Sequence, residues 1–148
     1  MTTLHNEITI KASPEKIWNI LANLDLLDKY DPTVKKSTVV SPEKMGMDAK
    51  RKVDMLDGKN WFEEKITVFK PNETITIQLT DCSFPIKGLK HTYSFEKMGA
   101  ETRVKQVMEY TVKFGVVGKL LDRLMIRRQT DGGIKKFFSG LKQFVEKN

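Results

Sequence analysis

His91 is the residue of this chain best suited to moving a proton, and Tyr93, two positions on, shares its side of any strand that carries both. In an enzyme, His91 would act as acid or base with Tyr93 or Tyr110 nearby, while Glu64 or Arg51 polarised a carbonyl. The same groups have plainer uses. Arg51 and Glu64 suit a mutually satisfied ion pair, and a lone inward histidine suits a neutral ring bonded to a tyrosine. His5 and His91 are the only histidines and Cys82 the only cysteine. An internal disulfide and a cysteine metal cage are therefore excluded, and neither metal nor cofactor is expected. No nucleophile stands at a recognisable spacing from a base.

These residues must be positioned by strands, and the turns fix their register. Asp57-Gly58 is a hairpin signal that pairs Met55 with Asn60, Val53 with Phe62, Arg51 with Glu64 and Ala49 with Ile66. A two-residue turn at Pro71-Asn72 pairs Val68 with Ile75, Ile66 with Ile77, Glu64 with Leu79 and Phe62 with Asp81. Gly99-Ala100 pairs Phe95 with Val104, Tyr93 with Gln106, His91 with Met108 and Leu89 with Tyr110. The three hairpins agree on which face is apolar. On that face Val68, Ile75, Phe95 and Val104 form a purely apolar layer, while Arg51, Glu64, Asp81, His91, Tyr93, Gln106 and Tyr110 gather toward one end. Each buried polar group without a partner costs about 1–3 kcal/mol, so a packed core should not hold this set. A wet or ligand-filled cavity resolves the conflict, with Glu64 and His91 about 10 Å apart across two strand spacings. Trp61 should then face outward.

Helices must close this sheet. Ser13-Pro14-Glu15 reads as a helix start, with Ile17, Trp18, Leu21 and Leu24 at helical spacing; a second short helix from Asp25 ends at Asp31-Pro32. Near the C-terminus, Val117, Leu120, Leu121, Leu124 and Met125 form one apolar stripe, and Ile134, Phe138, Leu141 and Val145 a second, rotated one. Leu121 and Met125 of the first stripe are expected to reach the ligand. The change of phase is expected at Gly132-Gly133, as a kink or a place where a ligand approaches the backbone.

At 148 residues the chain has the length of one domain, and no apolar run approaches a bilayer's width. The first residues lack the pattern of a signal peptide, so a cytoplasmic location is expected. The net charge is +7. From Val116 onward eight cations, among them Lys119, Arg123, Arg127 and Arg128, stand against Asp122, Asp131 and Glu146. A solvated helix face is the expected reading. Nucleic acid is not expected as a partner, and contact with an anionic membrane surface is a minor alternative.

The run Ile8-x-Ile10-x-Ala12-Ser13-Pro14-Glu15-x-Ile17-Trp18-x-x-Leu21, with Tyr30-Asp31-Pro32 and the strand-rich middle, resembles the polyketide cyclase/dehydrase-like proteins of the SRPBCC (START/Bet v 1-like) superfamily. The resemblance covers essentially the whole chain. It implies an α+β helix-grip fold: a curved seven-stranded antiparallel sheet around a long C-terminal helix, with two short helices after the first strand. Tyr30 stands where relatives often carry Trp a little before the Pro. The resemblance carries fold rather than chemistry, because such proteins bind lipids, hormones, polyketides or quinones and only some are enzymes.

The resulting expectation is one domain, monomeric or dimeric, that binds a hydrophobic small molecule between the sheet and the last helix. The expected contacts are Arg51, Val53, Met55, Phe62, Glu64, Leu79, Asp81, Leu89, His91, Tyr93, Gln106, Met108, Tyr110, Leu121 and Met125. The alternatives are an aromatase/cyclase or dehydratase using the same cavity, and a protein-interaction module of the Hsp90-activator kind.

Overall fold

The computed structural model describes residues 1–148. Strand β1 (Thr2–Ile10) leads into α1 (Pro14–Ala22), whose start is set by Ser13: its side-chain oxygen accepts from the Lys16 amide while Pro14 occupies the first turn. A 3₁₀ turn (Leu24–Leu26) and α2 (Leu27–Tyr30) follow, and then β2 (Val34–Val39), β3 (Lys50–Met55), β4 (Trp61–Lys70), β5 (Thr74–Cys82), β6 (Ile86–Met98) and β7 (Glu101–Val112). Their order is β1-β7-β6-β5-β4-β3-β2, all pairs antiparallel. The C-terminal helix then crosses the concave face as α3 (Gly115–Leu121), a π-helical turn (Asp122–Ile126) and α4 (Arg127–Lys147). This is the helix-grip arrangement. Both sheet edges, β1 and β2, carry links to the helices: Lys142 Nζ donates to Thr9 O at 3.0 Å, and the Ser37 hydroxyl donates to Leu24 O at 2.7 Å.

The first hairpin has the register expected from Asp57-Gly58, with Arg51 opposite Glu64 and Val53 opposite Phe62. The hairpin at Gly99-Ala100 keeps His91 opposite Met108, Tyr93 opposite Gln106 and Phe95 opposite Val104. The middle hairpin holds only at its centre, where Glu64 faces Leu79 and Ile66 faces Ile77. Its turn has three residues rather than two, with Lys70 opposite Thr74 and Asn72 left-handed at φ 63°. A bulge at Thr67 absorbs the extra residue, so Phe69, and not Val68, lies opposite Ile75. Phe69 then meets Trp18 at 5.1 Å between ring centroids, and Phe95 meets the same indole at 5.8 Å. Trp18 is buried between sheet and helix. Trp61 faces outward, half-buried beneath Lys52.

Two glycines set how closely the last helix approaches. A Cβ on Gly118 would stand 1.8 Å from Lys113 O, and one on Gly140 would stand 1.8 Å from Tyr30 O. The second contact lets Phe137 and Phe144 close on the Tyr30 ring at 5.6 and 5.8 Å. The second apolar stripe, Ile134, Phe138, Leu141 and Val145, is buried. The first is not: Val117, Leu120, Leu121, Leu124 and Met125 are all exposed. Gly118, Asp122 and Ile126, four apart, face inward instead, because Gly118 alone fits against Lys113 and the i→i+5 turn keeps every fourth residue in line. The phase change thus falls in the π turn, and α4 runs unbroken through Gly132-Gly133.

Candidate functional site

A cavity of about 350 Å³ opens between the concave sheet and the C-terminal helix. That volume is in the range of small-molecule sites. Arg51, Met55, Phe62, Glu64, Leu79, Leu89, His91, Tyr93, Gln106 and Met108 stand on its wall. The sequence pattern had gathered these ten from strands by register alone.

The buried end of the cavity is one hydrogen-bonded chain. Arg51 Nε donates to Glu64 Oε1 at 2.6 Å, and its Nη2 lies 2.6 Å from the same oxygen. Glu64 Oε2 is 3.1 Å from His91 Nε2, so the side chains close the gap of two strand spacings between their backbones. His91 Nδ1 lies 2.9 Å from the Tyr93 hydroxyl, to which Gln106 Nε2 also donates at 3.0 Å. With Nε2–H donating to Glu64, Nδ1 accepts from Tyr93 O–H and both ring nitrogens are used within the chain. Burial raises the Glu64 pKa, but the charge of Arg51 and the bond from His91 overcome it and hold the carboxyl at about 2. Burial drives the Tyr93 hydroxyl well above its ordinary value, so it stays protonated. One polar atom is left over. Gln106 Oε1 is buried and has no partner.

The rest of the wall comes from segments the sequence reading did not assign to it. Leu27, Asp31 and Thr33 contribute from the α2–β2 corner, Phe84, Pro85 and Ile86 from the β5–β6 loop, and Ile126, Gln129, Thr130, Gly133, Ile134 and Phe137 from the helix. Gly88 at φ 63° and Leu89 together stand opposite Tyr110, and this bulge lets both Ile86 and Leu89 reach the cavity. A Cβ on Gly133 would meet nothing within 4 Å. The spacing of Ile126, Thr130, Gly133 and Phe137 was the available signal, masked by the more apolar stripe beside it.

Several expected contacts lie elsewhere. Leu121 and Met125 are on the outer side of the helix, for the reason given above. Asp81 is exposed, because a bulge at Thr80 places it opposite Glu63 instead of Phe62, and its carboxylate accepts from the Cys82 amide. Val53 is fully buried in the packed core and does not reach the cavity wall. Tyr110 is buried beyond the cavity, where its hydroxyl donates to Asp122 Oδ1 at 2.6 Å and the Thr2 hydroxyl donates to Oδ2.

Sheet, gripping helix and the cavity between them define a helix-grip fold. The chain belongs to the family described as polyketide cyclase / dehydrase and lipid transport, whose sequence pattern matches residues 1–146. Among solved structures it is similar to TTHA0849 from Thermus thermophilus, at 20% identity, covering 97% of each chain, with a TM-score of 0.82. It is also similar to a START superfamily protein from Mycobacterium smegmatis, at 16% identity over 98% of this chain and 97% of that one, TM-score 0.79. The Zhui aromatase/cyclase of a Streptomyces species is 10% identical over 98% of this chain and 93% of that one, TM-score 0.83. At these identities the likeness is one of fold. No curated protein sequence matches the chain.

Proposed function

We propose that the chain is a single-domain binding protein whose cavity takes a hydrophobic small molecule carrying a hydroxyl or N–H group, without transforming it. The observation that carries this reading is the state of the polar groups at the buried end. Arg51, Glu64, His91 and Tyr93 are engaged with one another, and both imidazole nitrogens are committed. A base held in this way has no free lone pair for a substrate. Gln106 Oε1 has no partner within the chain, so a bound molecule that meets it once the buried amide turns toward the cavity supplies the donor it lacks. The apolar residues around it, Leu79, Leu89, Met108, Ile134 and Phe137, suit an aromatic or lipid-like body.

The test is a displacement titration. An apolar fluorescent dye should bind with micromolar affinity, about −8 kcal/mol, and be displaced by hydroxylated aromatics in preference to their methyl ethers. Gln106→Leu should remove most of that preference, worth about tenfold. Equal displacement by phenol and ether in both proteins would overturn the role given to Gln106. Failure of every apolar probe would overturn the binding reading.

A second reading is a cyclase or dehydratase, as one structural neighbour is an aromatase/cyclase. It is favoured by His91 and Tyr93 lying side by side on the cavity wall, and it requires a substrate to break the His91–Tyr93 bond.

A further inference from the structure

We propose that the outer face of the helix from Phe114 to Arg128 docks the protein on an anionic lipid bilayer. This does not depend on what the cavity holds. Folded proteins rarely leave a contiguous group of large apolar side chains in water. Here Phe114, Val116, Val117, Leu120, Leu124 and Met125 are 70, 84, 64, 56, 61 and 52% exposed. They lie on one side of the helix because Gly118, Asp122 and Ile126 take the other.

The charge around them selects the occupant. Lys113, Lys119, Arg123, Arg127 and Arg128 are exposed on the same stretch, and its one acid, Asp122, is turned inward and bonded to Tyr110 and Thr2. A second copy joined through this face would set these cations against their equivalents, with no carboxylate between them. A bilayer surface meets both demands: the apolar side chains enter the headgroup boundary, and the cations meet lipid phosphates. The face also adjoins the cavity wall. Lys113 N–H donates to Pro85 O at 2.9 Å, and Pro85 and Ile126 are both on the cavity wall.

Co-sedimentation of the full chain with vesicles tests this directly, using phosphatidylcholine alone and phosphatidylcholine mixed with phosphatidylglycerol in equal parts. The protein should pellet with the mixed vesicles, less so as salt rises, and only weakly with the neutral ones. Arg123→Gln with Arg127→Gln should weaken the partition coefficient about thirtyfold, at roughly fivefold per cation. Leu120→Ser with Leu124→Ser should abolish pelleting while lowering the melting temperature by only a few degrees, about what the loss of helix propensity costs, since both side chains are mostly in water in the free protein. Wild-type protein that stays in the supernatant would overturn the proposal. So would variants that pellet as the wild type does, or a concentration-dependent dimer in sedimentation velocity that the leucine variant dissolves.

Discussion

Arg51 holds one oxygen of Glu64 and leaves the other to a third residue. Its Nε and Nη2 both reach Oε1, while Oε2 faces His91 at 3.1 Å. The carboxylate is therefore a bridge between β3 and β6, two strands that do not touch. Both charges are almost completely buried.

Removing one partner of this pair should cost far more than removing both. Glu64→Gln leaves a buried guanidinium, and Arg51→Met leaves a buried carboxylate, each at about 3–5 kcal/mol. Arg51→Met with Glu64→Leu leaves neither and should lose much less. Urea denaturation of the three variants checks this, and single losses that simply add in the double would show that the pair is not coupled.

Acid should weaken the fold through the same carboxyl. In the unfolded chain it takes up its proton near 4.5, whereas in the folded protein it stays charged down to about 2. Between those values the unfolded state binds more protons, so this contribution is complete above 4.5 and is lost as the pH falls through the window. Asp31, whose pKa burial pushes up, works in the opposite sense and offsets part of the loss. The double variant at Arg51 and Glu64 should show a flatter fall in denaturation midpoint than the wild type. Parallel curves would place the acid sensitivity elsewhere.

Three glycines of the last helix should respond differently to a side chain. Gly118→Ala and Gly140→Ala drive a Cβ into the carbonyls of Lys113 and Tyr30, and each should lower stability by about 1–3 kcal/mol or more. Gly133→Ala meets open space and should gain about 1 kcal/mol from helix propensity. Gly133→Phe should fold normally yet fill the cavity and abolish dye binding. Undiminished dye binding by that variant would mean that probes bind outside the cavity.

His91→Gln separates holding a ligand from transforming one. Glutamine keeps a donor and an acceptor, so affinity should change by less than about tenfold if the cavity only binds. Under the cyclase reading, turnover of a polyketide-like substrate should fall by about a hundredfold or more. The pH profile of that turnover should change as well, which a merely structural histidine would not cause.

The strand face was readable where a turn had a single geometry. Asp57-Gly58 and Gly99-Ala100 fix Arg51 against Glu64 and His91 against Met108, and every cavity residue assigned from those two hairpins except Val53 and Tyr110 lies on the wall. Pro71-Asn72 misleads because a left-handed Asn72 also suits a three-residue loop, and the compensating bulge at Thr67 moved Val68 off the inner face, while a separate bulge at Thr80 moved Asp81. Bulges leave the alternation of apolar residues locally ambiguous, so periodicity alone did not place them. The helix failed for a different reason. Periodicity says that Leu120, Leu124 and their neighbours share a face, but it is silent on whether that face meets protein or something else. The inward row was marked instead by Gly118, which the apolar pattern does not register. The Gln106 position was legible from its pairing with Tyr93, but its unpaired oxygen was not, since that depends on which atoms Tyr93 and His91 leave free.

The seat of β1 has a consequence for the order in which the molecule is assembled. Thr2 pairs with Tyr110 and bonds to Asp122, 120 positions later, while Thr9 and Lys11 are fastened to Lys142 and Glu146. The hairpins from β3 to β7 can each close as soon as they leave the ribosome, because their partners are neighbours in the chain. β1, made before these hairpins, has to wait for β7 and the closing helix, which are made after it. During synthesis its hydrogen-bonding edge is unfilled, and its final insertion beside β7 completes the sheet in the same event that fastens the closing helix.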